Sequence, residues 1–189
     1  MEVSFNNLSS GDRMVREVLE LYQSAFPIDE RRDVKSFMQI LKEDSRFGLM
    51  ACVDSGSGCF YGFLSYWDFG EFCYIEHLAI VETYRGLGIG SVALSKFIDQ
   101  VSSGIILEVE PPVDRITRRR IAFYESLGFE LRSSFSYTQP PYSPQRNAVE
   151  LKLMTYGEFA PQQIADAADV IAREVYRKYC SQSEDDSGE

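Results

Sequence analysis

"HLAIVETYRGLGIGSVALSKF", His77 to Phe97, decides how the chain is read: an apolar run, a polar insert ending in an arginine, three alternating glycines, then helical spacing. Glycine weakens the interior of any element, so Gly86, Gly88 and Gly90 point to unusual dihedrals or to a close approach to the main chain. Where a strand gives way to a helix, Arg85-Gly86-Leu87-Gly88-Ile89-Gly90 offers successive amides at a helix N-terminus, and unpaired donors and the helix dipole there favour an anion. Arg85 adds a charge-assisted donor, which makes a phosphate the leading ligand. A dinucleotide fingerprint is the obvious competitor, since Glu108 is placed downstream to meet a ribose, but that loop follows its strand directly and leaves two residues before its third glycine. Here the glycines alternate after Glu82-Thr83-Tyr84, and no Lys-Ser/Thr ending supports a Walker loop. A turn that only lets a helix pack closely on a sheet remains open.

Periodicity outward from this segment predicts a helix from Asp12 to Phe26, through Val15, Val18, Leu19 and Tyr22, and a second at Val34 to Lys42. "FGLMACVDSGSGCFYGFLSYWDF" reads as a hairpin turning at Asp54 to Gly58, and "EFCYIEHLAIV" as a third strand. Beyond the glycines come a helix to Val101 with Val92, Ala93, Phe97 and Val101 on one face, the strand "GIILEVE", a helix from Arg115 to Leu127 closed by Gly128, and the strands "FELRSSFSY" and "AVELKLM". Thr155 and Glu158 have capping-box spacing ahead of a helix at Pro161 to Tyr179. Its stripe of Ile164, Ala168, Ile171 and Val175 suits core packing or a homodimer contact. The tail SQSEDDSGE, 181–189, is read as disordered.

The 189 residues, 44% of them apolar, suffice for one domain with a substantial core. A net charge of -10 argues against general binding to nucleic acid or to an anionic membrane. The four cysteines contain no C-x-x-C pair, and His77 is the only histidine, so no metal site is expected. No signal-like N-terminus or apolar run of spanning length occurs, so a cytoplasmic location is inferred.

The order hairpin, strand, R-x-x-G-x-G, helix, strand, helix, "AFYESLGFEL", strand, loop, strand resembles the GNAT superfamily of acyl-CoA-dependent N-acetyltransferases over residues 3–154. Arg85, Gly88 and Gly90 match its pyrophosphate motif, and Ala122 to Leu131 resembles its helix-to-strand signature. The resemblance implies an α/β (α+β) fold: a mixed, strongly twisted central sheet flanked by helices, with 155–180 as a C-terminal helical extension. Two strands, around Ile75 to Val81 and Ile105 to Glu110, would splay apart to admit acetyl-CoA. Backbone at Leu78, Ala79 and Ile80 would face the pantetheine arm, and Arg85, Gly86, Leu87, Gly88, Ile89, Gly90 and Ser91 the pyrophosphate. Many relatives carry an asparagine after the second of those strands, whereas "PPVDRITRRR" has none, leaving Asp114 or Arg118 to Arg120 as substitutes or as a solvated face.

The implied reaction is transfer of an acetyl group to a primary amine of a small molecule or peptide by direct attack. A non-catalytic acyl-CoA binding or sensing domain is the alternative. A lysine-like amine is almost wholly protonated at pH 7, so a positioned proton acceptor is valuable. Regular alternation sets Glu76 beside Tyr74, Leu78 and Ile80 in an apolar setting that would raise its pKa, and this makes Glu76 the candidate base. Alternation also turns His77 to the opposite face, as a packed core residue. A structural carboxylate is the competing reading of Glu76. Tyr124 falls on the family's general-acid tyrosine, with ordinary packing as the competing reading. Acceptor contacts are expected from two loops that can overhang the cleft: Asp29, Glu30, Arg31 and Arg32 in "FPIDERRD" and Tyr137 and Tyr142 in "YTQPPYSPQRN". Asp29 and Glu30 with Tyr142 suit a cationic amine, and Arg31 with Arg32 a carboxylate.

Overall fold

The computed structural model describes residues 2–180; the acidic tail at 181–189 lies outside them. Eight strands form a sheet in the order β1 (Val3–Asn7), β2 (Phe47–Asp54), β3 (Phe60–Asp68), β4 (Phe72–Ile80), β5 (Gly104–Val109), β8 (Val149–Tyr156), β6 (Glu130–Leu131), and β7 (Tyr137–Gln139) also pairs with β8. Neighbours are antiparallel except β4 and β5, whose parallel pairing needs a crossover, here α3 (Ile89–Gln100). The remaining helices are α1 (Val15–Ala25), α2 (Val34–Glu43), α4 (Arg115–Glu125) and α5 (Pro161–Ile171). The C-terminal helix continues beyond α5 as a π-helical stretch, Ala172–Arg177, and a last α turn.

Each face of the sheet is covered. On one side α1, α2 and the C-terminal helix bury Val18, Tyr22, Phe37, Ile40, Ile171 and Val175 against Phe63, Trp67, Tyr74 and Ile106. On the other, α3 and α4 set Leu94, Phe97 and Ile121 against Leu64, Ile75, Ile105 and Leu107. Val92, expected on the inner face of α3, is 43% exposed, and Leu94 takes that place. Local chemistry fixes the helix ends. Asp33 accepts from Ser36 N–H at 2.8 Å to start α2, Asp114 and Thr117 cap each other at the start of α4, and Gly128 leaves α4 at φ +90°. Asp114 is therefore spent on its own helix.

Four departures from the sequence reading have physical reasons. A first strand, Val3–Asn7, pairs with β2 although its pattern is short and half polar. "FELRSSFSY" is not one strand: the turn in which Phe135 N–H donates to Arg132 O at 3.0 Å splits it into β6 and β7. Strand β8 runs on through Thr155 to Tyr156, and Thr155 Oγ1 accepts from Arg132 Nε. The C-terminal helix instead begins with Pro161 at its first turn and with Gln163 Oε1 accepting from Ala160 N–H at 2.8 Å. Last, β4 contains a bulge, because Ser65 pairs with His77 and Tyr66 with Ile75, leaving Glu76 unmatched. A bulge puts two successive residues on one face, so Glu76 and His77 point the same way and Leu78 and Ile80 the other. No described helix is long and apolar enough to cross a membrane.

Candidate active site

Strands β4 and β5 pair only from Phe72/Gly104 to Ile75/Leu107 and then part. The first residues past that last rung are Glu76 and Glu108, which share a face. A cavity of about 750 Å³ follows the fork, bounded by residues 75–80 of β4, residues 107–110 of β5, the glycine turn and the end of α4. Phe26, Pro27, Glu30, Gln139 and Tyr142 close it at the other end.

The open edge of β4 is a row of main-chain donors and acceptors. Val81 N–H donates to Tyr61 O on β3 at 2.9 Å, so alternation turns Leu78 and Ile80 toward the parted side and Ala79 toward β3. Arg85 Nε takes the Ile80 carbonyl at 2.9 Å, which folds the arginine back over the strand end. Gly86 and Gly88 have φ of +79° and +78°, and a Cβ on either would meet open space, so the dihedral alone calls for glycine. Gly90 has no such dihedral, and a Cβ there would make ordinary contact with Ile80 and Phe123 at 3.6 Å. Gly88 precedes α3 without any side-chain cap, leaving the first amides of α3 facing the cavity at Ile89, Gly90 and Ser91. Leu87 points away, 56% exposed, and is not part of the lining.

The two carboxylates at the fork are held in opposite ways. Glu76 sits with its side chain 1% exposed and accepts from Arg32 Nη2 at 2.6 Å, Trp67 Nε1 at 2.7 Å and Tyr142 Oη at 2.9 Å. Burial alone would raise its pKa, but the Arg32 guanidinium and these donors outweigh it and hold the carboxyl below its ordinary value. The apolar, raised-pKa setting expected for Glu76 is thus corrected to a buried ion pair, because Arg32 lies on the face that Glu76 shares with Tyr74 while the bulge turns Leu78 and Ile80 to the other. His77 is packed, as expected, but on the same face as Glu76: it is edge-on to Tyr22 and Phe26, its Nε2 lies 3.1 Å from Glu30 O, and burial lowers its pKa.

Among the described residues, Glu108 is held by hydroxyls and by no cation. Tyr137 and Tyr176 donate to its two oxygens, the latter at 2.8 Å, and Tyr74 adds a third hydroxyl. Burial dominates, with Glu76 adding repulsion, and its pKa is pushed up to about 7 despite those three donors. Tyr124, at the end of α4, lines the same cavity; burial raises its hydroxyl to about 12, so it stays protonated at pH 7.

Of the acceptor candidates, Glu30 and Tyr142 line the cavity, and burial followed by repulsion from Glu110 raises the pKa of Glu30. Asp29 and Arg31 do not. Asp29 is held by Asn147 N–H and Nδ2, each at 3.0 Å, which clasps the α1–α2 connection to the β7–β8 loop, and Arg31 Nε donates to Phe26 O. Arg32 is buried on Glu76 and offers nothing to a carboxylate ligand. Arg119 and Arg120 line the cavity, with Arg120 paired to Glu110. Tyr137, expected at the acceptor, instead donates to Glu108; no spacing singles out Tyr176, and nothing in "DERRD" marks Arg32 as a core residue. A charge inside the apolar strand "IILEV" was the available signal for Glu108.

Comparison with known proteins agrees with this geometry. No curated protein matches the chain. A Bacteroides thetaiotaomicron structure described as an acetyltransferase from the GNAT family is 28% identical, with a TM-score of 0.85, covering 92% of this chain and 98% of its own. The ribosomal-protein-S18-alanine N-acetyltransferase of Escherichia coli shares the fold at 19% identity and a TM-score of 0.58, over 85% of this chain and 97% of its own. Arabidopsis thaliana NAA60, solved in complex with acetyl-CoA, does so at 20% identity and a TM-score of 0.58, over 82% and 98%. The family profile described as Acetyltransferase (GNAT) matches residues 13–129, and the chain belongs to that family.

Proposed function

We propose that the protein moves an acetyl group from acetyl-CoA to a primary amine by direct attack, with Glu108 as proton acceptor and Tyr124 as proton donor. The observation that carries this reading is the fork itself: an unpaired strand edge, uncapped helix amides, a carboxyl with a pKa of about 7 and a protonated phenol all line one cavity. On the parted edge the Ile80 carbonyl is taken by Arg85, which leaves Leu78 to meet a pantetheine amide, and the Gly86 to Ser91 turn suits the pyrophosphate. A relative of the same fold solved with acetyl-CoA supports the donor.

In this reading the ammonium loses its proton to the Glu108 carboxylate. The freed nitrogen attacks the thioester carbon, the C–S bond breaks as Tyr124 gives its proton to the departing CoA thiolate, the second proton shed by the nitrogen restores the Tyr124 phenol, and Glu108 returns its own proton to solvent. The products are an amide and CoA. Glu108 suits the first step because its pKa sits near the working pH, where a base combines ionised population with basicity. Glu76 is excluded from that step by Arg32, and the two carboxylates divide as paired groups do when their surroundings push their pKa values apart.

The test is release of free thiol from acetyl-CoA with polyamines, amino acids, aminoglycosides and peptide N-termini as acceptors. We expect turnover with at least one class, and a fall of about 10² to 10⁴ in Glu108→Gln. Calorimetric CoA binding without thiol release from any acceptor would replace the enzyme by an acyl-CoA sensing domain.

A further inference from the structure

The C-terminal helix lies outside residues 13–129, the part matched by the family, yet it reaches both carboxylates of the fork. Consecutive residues do this. The Val175 carbonyl accepts from Arg32 Nη1 at 3.0 Å, the guanidinium that neutralises Glu76, and the Tyr176 hydroxyl donates to Glu108 Oε2 at 2.8 Å. Both residues lie in the π-helical stretch Ala172–Arg177, and π turns displace the main chain from its regular register, often at functional sites. The Tyr176 ring is fully buried against Tyr142, and a phenylalanine would fill the same space. The hydroxyl therefore needs its own account, and its partners are Glu108 and, at 2.9 Å, the hydroxyl of Tyr74.

We propose that Tyr176 is a positioning residue of the acetyl-transfer centre, its hydroxyl orienting the Glu108 carboxylate and donating to its charged form. This rests on the reading of Glu108 as proton acceptor. The groups that face Glu108 are Tyr74 and Glu76 from β4, Tyr137 from β7, Tyr142 from the β7–β8 loop and Tyr176 itself. Glu30, Glu110, Arg119 and Arg120 line the same cavity farther out. Among these groups Tyr176 is the one that comes from the C-terminal helix, so that helix completes the centre rather than only packing beneath it.

The experiment follows the Glu108 side-chain carboxyl by NMR in protein labelled with ¹³C-glutamate, the resonance being assigned by its loss in Glu108→Gln. In Tyr176→Phe the titration midpoint should rise by about one unit, the scale set by losing a hydrogen bond to a charged group. With the acceptor found by thiol release, kcat/KM at pH 7 should fall about fivefold, from roughly half to roughly a tenth ionised, and recover by about pH 9 with the KM for acetyl-CoA unchanged. Tyr179→Phe, on the same helix with its hydroxyl on Asp44, should leave the Glu108 midpoint where it was. If Tyr176→Phe does not fold, 3-fluorotyrosine placed at position 176, which keeps the ring and makes its hydroxyl a stronger donor, should lower the Glu108 midpoint, and an unmoved midpoint there overturns the proposal equally. An unmoved Glu108 midpoint in the folded variant overturns the proposal. A Glu108→Gln enzyme that keeps its turnover overturns the base assignment instead, and that result is read separately from the titration.

Discussion

Replacing Glu76 by Gln separates structure from chemistry at the fork. Arg32 and Glu76 are 3% and 1% exposed and meet at 2.6 Å, so removing one charge leaves the other buried without its partner. Breaking such a pair costs about 3 to 5 kcal/mol. For a chain of this size 1 kcal/mol moves Tm by roughly 2 to 4 °C, so Glu76→Gln should unfold about 6 to 20 °C lower. Adding Arg32→Met should restore much of that loss, since an apolar replacement of a whole buried pair is often close to neutral. The assay is thermal unfolding by circular dichroism without ligand, repeated across pH. Glu76 titrates below its ordinary value of 4.5, so its contribution is complete above about 4.5 and is lost as pH falls through the lowered value. The gap in Tm between wild type and Glu76→Gln should thus hold from neutral pH down to about 5 and close on further acidification. A Tm within about 3 °C of wild type together with collapsed turnover would refute this reasoning and return Glu76 to the role of base.

Two further outcomes follow from the cavity. Tyr124→Phe should lower kcat while leaving acetyl-CoA affinity by calorimetry nearly intact, because the ring stays and only the proton is lost; an unchanged kcat removes Tyr124 from the mechanism. Gly88→Ala places a Cβ on a left-handed dihedral at a cost of about 1 to 2 kcal/mol, so acetyl-CoA should bind about tenfold more weakly through a distorted turn. Wild-type affinity in that variant would show that the turn does not hold the donor.

Local signals were the legible ones. Period-3.6 and period-2 stretches marked every helix and most strands, and the glycine turn followed by "FYESLGF" fixed their order. The cavity lining was legible where it is built from contiguous chain, at Leu78 to Ile80, at Arg85, Gly86 and Gly88 to Ser91, and at Tyr124. It was not legible where one residue decides a face. Nothing in Tyr74-Ile75-Glu76-His77 says where the ladder slips, and a slip of one residue took Leu78 and Ile80 off the face that Glu76 shares with Tyr74 and put His77 on it. Arg32 lies in a run of charges that reads as a solvated surface, and its burial depends on a helix far along the chain. Glu108 was visible as a charge in an apolar strand, but the hydroxyls that tune it come from Tyr74, Tyr137 and Tyr176, residues no spacing connects.

The contact from Arg32 to the carbonyl of Val175 spans 143 residues. At ribosomal speeds of about 5 to 20 residues per second, the segment that seals this corner emerges on the order of 10 s after the arginine it must hold. A nascent chain can therefore assemble its glycine turn and sheet well before its charge centre is locked, and the arrival of Val175 and Tyr176 determines when the fork acquires its final form.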